Sequence, residues 1–269
     1  MIAFPNCKIN LGLNIVRKRA DGFHDIESVF YPLPLNDVIE IVKSDNFQFT
    51  ATGQPVNGTE EDNLCLRAYR LLQQDFPELP PVRMHLHKVI PMGAGLGGGS
   101  ANAAFMLKLL NDKFHLQLST EQLLDYALRL GSDCPFFIIN KPALATGRGE
   151  ILQTINLDLS GYSILLINPK IHINTGWAFG QLREPATRKP LMDVISQPIE
   201  TWKHELINDF EIPVIKCHPE LAEIKSKLYE AGALYAAMSG SGSCFYGIFP
   251  KNTIPENFPV SSEYTLFRF

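Results

Sequence analysis

Long apolar runs are missing from this 269-residue sequence; the longest, such as Tyr162–Ile167, are the size of strands and far too short to cross a bilayer. The amino terminus, Met1-Ile2-Ala3-Phe4-Pro5, has no basic segment followed by an apolar stretch, so no secretory signal is read there and a cytoplasmic protein is expected. Cysteine is sparse. The five residues Cys7, Cys65, Cys134, Cys217 and Cys244 are odd in number and scattered without a C-x-x-C pair, which argues against a disulfide framework and a zinc site. Lysine and arginine form no long stripe and the net charge is −4, so neither nucleic acid nor a membrane is expected as partner. A phosphorylated ligand would have to be held by backbone amides, a helix dipole, a metal ion and a few lysines. Internal repeats and low-complexity tracts are also absent.

What remains is an ordinary globular composition, 45% hydrophobic, long enough for one large domain or two small ones. Cys7, Ile9, Leu11 and Leu13 alternate with Lys8, Asn10, Gly12 and Asn14, the period of a half-buried strand. Asp37–Lys43, Phe47–Thr52 and Val82–Val89 read as strands. Asn63–Phe76 reads as a helix with Leu64, Ala68, Leu71 and Leu72 inward, and a second helix spans Ala101–Lys113. Ser119-Thr120-Glu121-Gln122 is a capping box opening a helix that stops near Gly131. A composition shift at Asp158-Leu159-Ser160-Gly161 marks a boundary. Beyond it lie a strand at Tyr162–Asn168 and a proline- and charge-rich connection around Arg183–Pro198. A helix from Pro219 with Leu221, Ile224 and Leu228 inward stops at Gly232, and strands follow at Leu234–Met238 and Cys244–Phe249.

The strongest signal is Pro91-Met92-Gly93-Ala94-Gly95-Leu96-Gly97-Gly98-Gly99-Ser100, between a strand and a helix. Glycines without side chains let the backbone turn tightly and present successive N–H groups, and the helix dipole points at the same place: an anion cradle. Ser100 offers a hydroxyl to a phosphate, or else only caps the helix. Gly93 to Gly98 also fits G-x-G-x-x-G, so an NAD-dependent oxidoreductase is a rival reading. A second helix follows the first where a Rossmann unit needs a strand ending in an acidic residue. No Gly-Lys-Ser/Thr closes the run, and the protein-kinase motifs are missing.

Four further groups carry chemistry. Lys8 and Asn10 share one face of their strand, either as ordinary surface or as a polar pair for a ligand. Asp133, in Gly131-Ser132-Asp133-Cys134-Pro135-Phe136-Phe137, reads locally as a helix N-cap, and could alternatively take a proton from a substrate hydroxyl. Phe23-His24, after the turn Arg19–Gly22, suits a flat heterocycle, one ring stacking and one hydrogen-bonding, though a lone histidine is more often structural. Ser239-Gly240-Ser241-Gly242-Ser243 is a hairpin turn or a second backbone nest.

With Asp62-Asn63-Leu64 added, these segments in this order resemble the GHMP kinases, small-molecule kinases that include those for galactose, homoserine and mevalonate. Within that family they resemble the branch acting on a cytidine diphosphate ester in non-mevalonate isoprenoid synthesis. The resemblance covers most of the chain. It implies an α+β fold of two domains, the first like ribosomal protein S5 domain 2 and the second ferredoxin-like, with the site in the cleft. We expect residues 1–157 to form the ATP-binding domain and 158–269 the second, with a return of the last strand to the first domain as an alternative. The resemblance also implies ATP with Mg²⁺, no protein side chain being singled out as metal ligand. Asp133 would be the base on the acceptor hydroxyl, with Lys8 polarising that hydroxyl and keeping Asp133 ionised. Asn63 and Lys88 would lie near the adenine and ATP, and Pro91, Met92 and Gly93–Ser100, Ala94 and Leu96 included, would hold the nucleotide. Asn10 and Thr175 would contact the substrate, His24 would read the cytosine edge, and Phe23 and Phe179 would sandwich the ring. Phe23 stands where a tyrosine is common, which keeps the ring and loses a hydroxyl. A catalytically dead nucleotide-binding module is a further rival, disfavoured by the presence of both Lys8 and Asp133. The protein is expected to be a monomer or weak homodimer.

Overall fold

The computed structural model describes residues 1–55, 59–182 and 188–269. In chain order the strands are β1 Ile2–Ala3, β2 Asn6–Lys18, β3 His24–Asn36, β4 Val38–Lys43, β5 Gln48–Gly53, β6 Val82–Lys88, β7 Ala143–Thr146, β8 Ile151–Thr154, β9 Tyr162–Asn168, β10 Tyr235–Met238, β11 Phe245–Pro250 and β12 Thr265–Arg268. The helices are α1 Leu64–Asp75, α2 Gly98–Phe114, α3 Thr120–Leu130, α4 Cys134–Ile139, α5 Thr175–Gly180, α6 Leu191–Ile195, α7 Ile199–Glu205, α8 Glu211–Cys217 and α9 Glu220–Glu230. The chain divides into two compact units, residues 1–8, 32–92 and 97–141 in the first, and 9–31, 93–96 and 142–269 in the second. Both are assembled from separate stretches, so this partition by contacts follows different lines from a single cut after residue 157.

The first unit contains the sheet β1-β4-β6-β5, antiparallel except where β5 runs parallel to β6. Along β6 the period of two buries Val82, Met84, Leu86 and Lys88 while Arg83 and His87 face outward. A lysine thus ends an apolar row. Helices α1 to α4 pack together through buried residues that include Leu66, Leu72, Leu107, Leu110, Phe136 and Phe137. Helix α1 has Cys65, Leu66, Ala68, Tyr69 and Leu72 buried, whereas Leu64 and Leu71 are only half-buried, a small rotation from the expected face. The capping box of α3 forms as expected: the Ser119 hydroxyl accepts from the Gln122 amide at 3.3 Å, and the Gln122 side chain accepts from the Ser119 amide at 2.9 Å. Helix α2 begins at Gly98, three residues before the expected start. A Cβ on Gly98 would lie 2.8 Å from Lys88 Nζ and 2.9 Å from Ile90 Cγ2, so close packing has kept glycine there despite its poor helix propensity.

In the second unit β10-β11-β9-β12 form an antiparallel sheet. Helix α9 places Leu221, Ile224 and Leu228 in a core with Leu165, Ile167, Met238 and Phe245. The last strand, β12, pairs with β9, Leu266 opposite Ile167; the expectation that it returns to the first domain is corrected by this pairing. This unit also holds β7, β8 and the adjoining parts of β2 and β3, with Ser28 opposite Ala145. Part of the expected Arg183–Pro198 connection, 183–187, lies outside the described residues. In the rest, Pro190 and Pro198 sit at the starts of α6 and α7, where a missing N–H costs nothing because the first turn has no internal acceptor for it.

Candidate active site

The glycine turn has positive φ at every second residue, 63° at Gly93, 80° at Gly95 and 69° at Gly97, which turns successive N–H groups to one side. Gly97 is the N-cap of α2 and leaves the helix start without a side-chain cap or an acidic residue in the first turn. The amides of Gly98, Gly99 and Ser100 therefore lack intrahelical acceptors, and the positive end of a 17-residue helix adds to them. Such a helix start can receive an anion. Ser100 lies inside the helix, which removes the reading of it as the cap; the Cys134 thiol, at the start of α4, is buried. Burial pushes that thiol up to about 12, so Cys134 stays protonated and does not compete as an anion. In the same turn Pro91, Ala94 and Leu96 are buried and Met92 is partly exposed.

Beside the helix start, within the first unit, lies a cavity of about 180 Å³ whose lining includes Asn63, Leu64, Leu86, Met92, Gly99 and Asn102. Asn63 is the N-cap of α1, its side-chain oxygen accepting from the Cys65 amide at 2.9 Å. Lys88 also borders the cavity, but its ammonium is bonded to Asp37, a residue that the sequence reading passed over. Asp37 is fully buried and accepts from the amides of Val89 at 2.7 Å and Ile90 at 2.8 Å, and from Asn102 Nδ2 at 2.8 Å. The available signal was Lys88 itself. An inward lysine on the alternation of β6 requires a counter-charge, though the sequence does not say which carboxylate provides it.

Lys8 is buried and its Nζ lies 3.3 Å from Asp133 Oδ2, while Asp133 stays one-third exposed. Strand β2 is buried on both faces from Asn6 to Leu13, so Lys8 and Asn10 are not on a wet surface, which corrects the half-buried reading. Asp133 occupies the N-cap position of α4 but makes no side-chain cap bond; the locally favoured reading as a cap gives way to the pair with Lys8. A Cβ on Gly97 would approach the Phe137 ring at 3.0 Å and Lys8 Cε at 3.2 Å, which places the Lys8 side chain against the turn at the start of α2.

In the second unit, Ser239 to Ser243 turn the chain from β10 to β11 and pack against the first half of the glycine turn. Ser239 Oγ donates to Gly95 O at 2.9 Å, Cys244 N donates to Ala94 O at 3.2 Å, and a Cβ on Gly95 would fall 1.9 Å from Ser239 O. Only glycine permits that approach. The serine-rich segment is thus both hairpin turn and support for the cradle. Asn10 donates through Nδ2 to Ser28 Oγ at 2.8 Å, and its amide reaches Ser239 Oγ at 3.2 Å. Thr175 lies at the start of α5, its hydroxyl 3.0 Å from Ser241 Oγ.

The aromatic residues expected around the cytosine have protein neighbours of their own. His24 and Phe179 stack on one another, centroids 5.0 Å apart and planes at 21°, and Phe179 meets Phe210 edge-on at 4.9 Å. Phe23 is exposed, with the Arg148 guanidinium 5.0 Å over its ring. Phe179 is therefore paired with His24, and Phe23 with Arg148. Burial, and secondarily the Lys18 charge, lowers the His24 pKa below its ordinary value, leaving a ring with one donor and one acceptor nitrogen.

Comparison with known proteins gives the family. The family description "GHMP kinases N terminal domain" matches residues 63–141 and "GHMP kinases C terminal" matches 195–258. These two matches and the fold define the class, a small-molecule kinase of the GHMP type with N- and C-terminal domains. A 4-diphosphocytidyl-2-C-methyl-D-erythritol kinase of Bacteroides fragilis is 50% identical over 253 residues, covering 93% of this chain and 92% of the relative. One from Cytophaga hutchinsonii is 49% identical over 259 residues, 96% of this chain and 95% of the relative. A crystal structure of 4-(cytidine 5'-diphospho)-2C-methyl-D-erythritol kinase superposes with a TM-score of 0.77 at 30% identity, covering 92% of this chain and 90% of that one. Methanococcus jannaschii mevalonate kinase, at 12% identity and a TM-score of 0.71 over 100% of this chain and 97% of that one, shares the fold. The chain belongs to the 4-diphosphocytidyl-2-C-methyl-D-erythritol kinase family.

Proposed function

We propose that this chain transfers the γ-phosphoryl group of ATP to the C2 hydroxyl of 4-diphosphocytidyl-2-C-methyl-D-erythritol. The observation that carries the chemistry is the Lys8–Asp133 pair at 3.3 Å, one partner buried and the other open to solvent. Asp133 takes the proton of the attacking hydroxyl as its O–P bond forms and the bond from the γ-phosphorus to the bridging oxygen of ADP breaks. Lys8, 3.3 Å from Asp133, offsets the charge growing on the alkoxide oxygen. Gly93 to Ser100 hold the nucleotide phosphates on backbone amides, with Pro91, Met92 and Asn63 around the nucleotide. His24 reads the cytosine edge, Phe179 and Phe23 supply ring faces, and Asn10 and Thr175 position the substrate.

Mg²⁺ fits the donor set. The Ser100 hydroxyl is a hard oxygen donor at the start of α2, and this ion would need only one or two protein oxygens when phosphates and water complete its shell. When bound it neutralises phosphate charge. Among the described residues no helix is long and apolar enough to cross a membrane, and no group of three histidine, cysteine, aspartate or glutamate side chains stands ready for a resident metal. We read residues 1–157 as the ATP-binding domain and 158–269 as the second domain.

Purified protein in a coupled assay for ADP should turn over the cytidyl substrate and leave homoserine and mevalonate nearly untouched. Comparable turnover of homoserine or mevalonate, with none on the cytidyl substrate, overturns the assignment.

A further inference from the structure

The buried carboxylate of Asp37 touches both arms of the phosphate-binding turn. Its Oδ1 accepts from the amides of Val89 and Ile90, the residues that lead from β6 into Pro91 and the glycines, at 2.7 and 2.8 Å. Its Oδ2 accepts from Asn102 Nδ2 at 2.8 Å and from Lys88 Nζ. Asn102 is the fifth residue of α2, where the chain leaves the turn. One side chain therefore ties the approach of the turn to its exit, using four donors from β6, the segment after it and α2. Asp37 and Asn102 are both buried, as is Lys88, so water does not substitute for any lost bond.

The charges point the same way. Lys88 Nζ lies under the start of α2, as the 2.8 Å clearance to a Cβ on Gly98 shows. A bare ammonium there would oppose the positive end of the helix dipole, and Asp37 cancels it. Lys88 is 2% exposed and bound to that carboxylate, so its charge is spent inside the protein instead of on a phosphate. The anion site is left to the amides of Gly98, Gly99 and Ser100.

We infer that Asp37, through Asn102 and the Val89 and Ile90 amides, is a positioning residue that sets the span of the glycine turn and thereby the affinity for ATP, with Lys88 as its counter-charge. The inference rests on the reading of Gly93–Ser100 as the ATP phosphate site. Asp37→Asn keeps an acceptor for Val89 and Ile90 but turns an NH₂ toward Asn102 Nδ2 and Lys88 Nζ, two donors. Asn102→Ala removes only the tie to α2. The reciprocal pair Asp37→Asn with Asn102→Asp restores a donor–acceptor bond between the two positions and keeps the net charge of the buried cluster.

The experiment measures KM for ATP and kcat for correctly folded enzyme of each variant, together with ATP binding by titration calorimetry of the same samples. Asn102→Ala and Asp37→Asn are expected to raise KM and the dissociation constant for ATP about tenfold with kcat changed less than about threefold, and the reciprocal pair to recover most of the loss. A purely structural role lowers the folded fraction without moving KM of the molecules that remain. Unchanged ATP affinity in folded Asn102→Ala and Asp37→Asn, with the wild type binding normally, overturns the inference alone. A wild-type chain that binds no ATP overturns the phosphotransferase reading and this inference with it.

Discussion

The first unit contains two lysine–aspartate pairs that look alike in sequence and differ in what surrounds them. Lys88 and Asp37 are closed off, side chains 1% and 0% exposed, with the carboxylate also accepting from two backbone amides and an asparagine. Lys8 and Asp133 are held 3.3 Å apart with Asp133 one-third exposed and no cap bond from its side chain. A carboxylate whose lone pairs are all occupied by protein donors has no capacity left for a substrate. One that is anchored by a single cation and open to solvent can still take a proton. The lysine of each pair is buried; the pairs differ in the exposure of the aspartate.

The sharpest way to break this comparison is to change the two carboxylates and read both rate and stability. Asp133→Asn should lower kcat about 10³-fold, the scale of a positioned general base, while ATP still binds. Activity within tenfold of wild type in steady-state kinetics would remove Asp133 from the chemistry. Asp37→Ala should instead lower stability by about 3–5 kcal/mol, because Lys88 is left buried without a counter-charge. Urea unfolding measures this, and a loss below about 1 kcal/mol, the range of an unremarkable surface change, would make the closed pair unimportant. Lys8→Met tests the cation of the open pair: kcat should fall about 10²-fold with KM for ATP nearly unchanged, the pattern of a group that acts on the developing charge. A rise in KM alone would make Lys8 a binding residue.

The smallest effect extends the comparison to burial without any counter-charge. His24 lies against Phe179, and burial first and Lys18 second hold its pKa below the ordinary 6.5. As pH falls through 6.5 the unfolded chain takes up this proton before the folded one, so stability from this group is present above 6.5 and declines below it. NMR titration of the ring should give a pKa under 6.5, and a value above it would mean an unrecognised acidic neighbour.

Much of this arrangement was readable along the chain because the signals are local. The capping box at Ser119, the strand Tyr162–Asn168 and the stop at Gly232 depend on neighbours within a few residues, and the structure has each of them. The glycine run announced an anion site because tight backbone curvature requires glycine whatever lies nearby. Reading failed where the deciding partner is distant. Strand β3 and the short helices α5 to α8 carry weak local periodicity and are formed by packing. Asp37 precedes a strand and is separated from Lys88 by 51 residues, so its role could not be seen from either end. Phe23 and Phe179 are likewise far apart in the chain, and their neighbours Arg148 and His24 could not be read from either position.

The sequence by itself determined the class of chemistry: glycines before a helix, a lysine on the first long strand and an aspartate at the head of a short helix, in family order. Tertiary structure decided which charged residues are free to act. It buried Lys8 and Asn10 on a strand covered on both faces, removed Asp133 from its cap role, and enclosed Lys88 with Asp37. The physical reason is that the cost of a charge depends on water and on partners brought from elsewhere in the chain, and neither is written in local sequence.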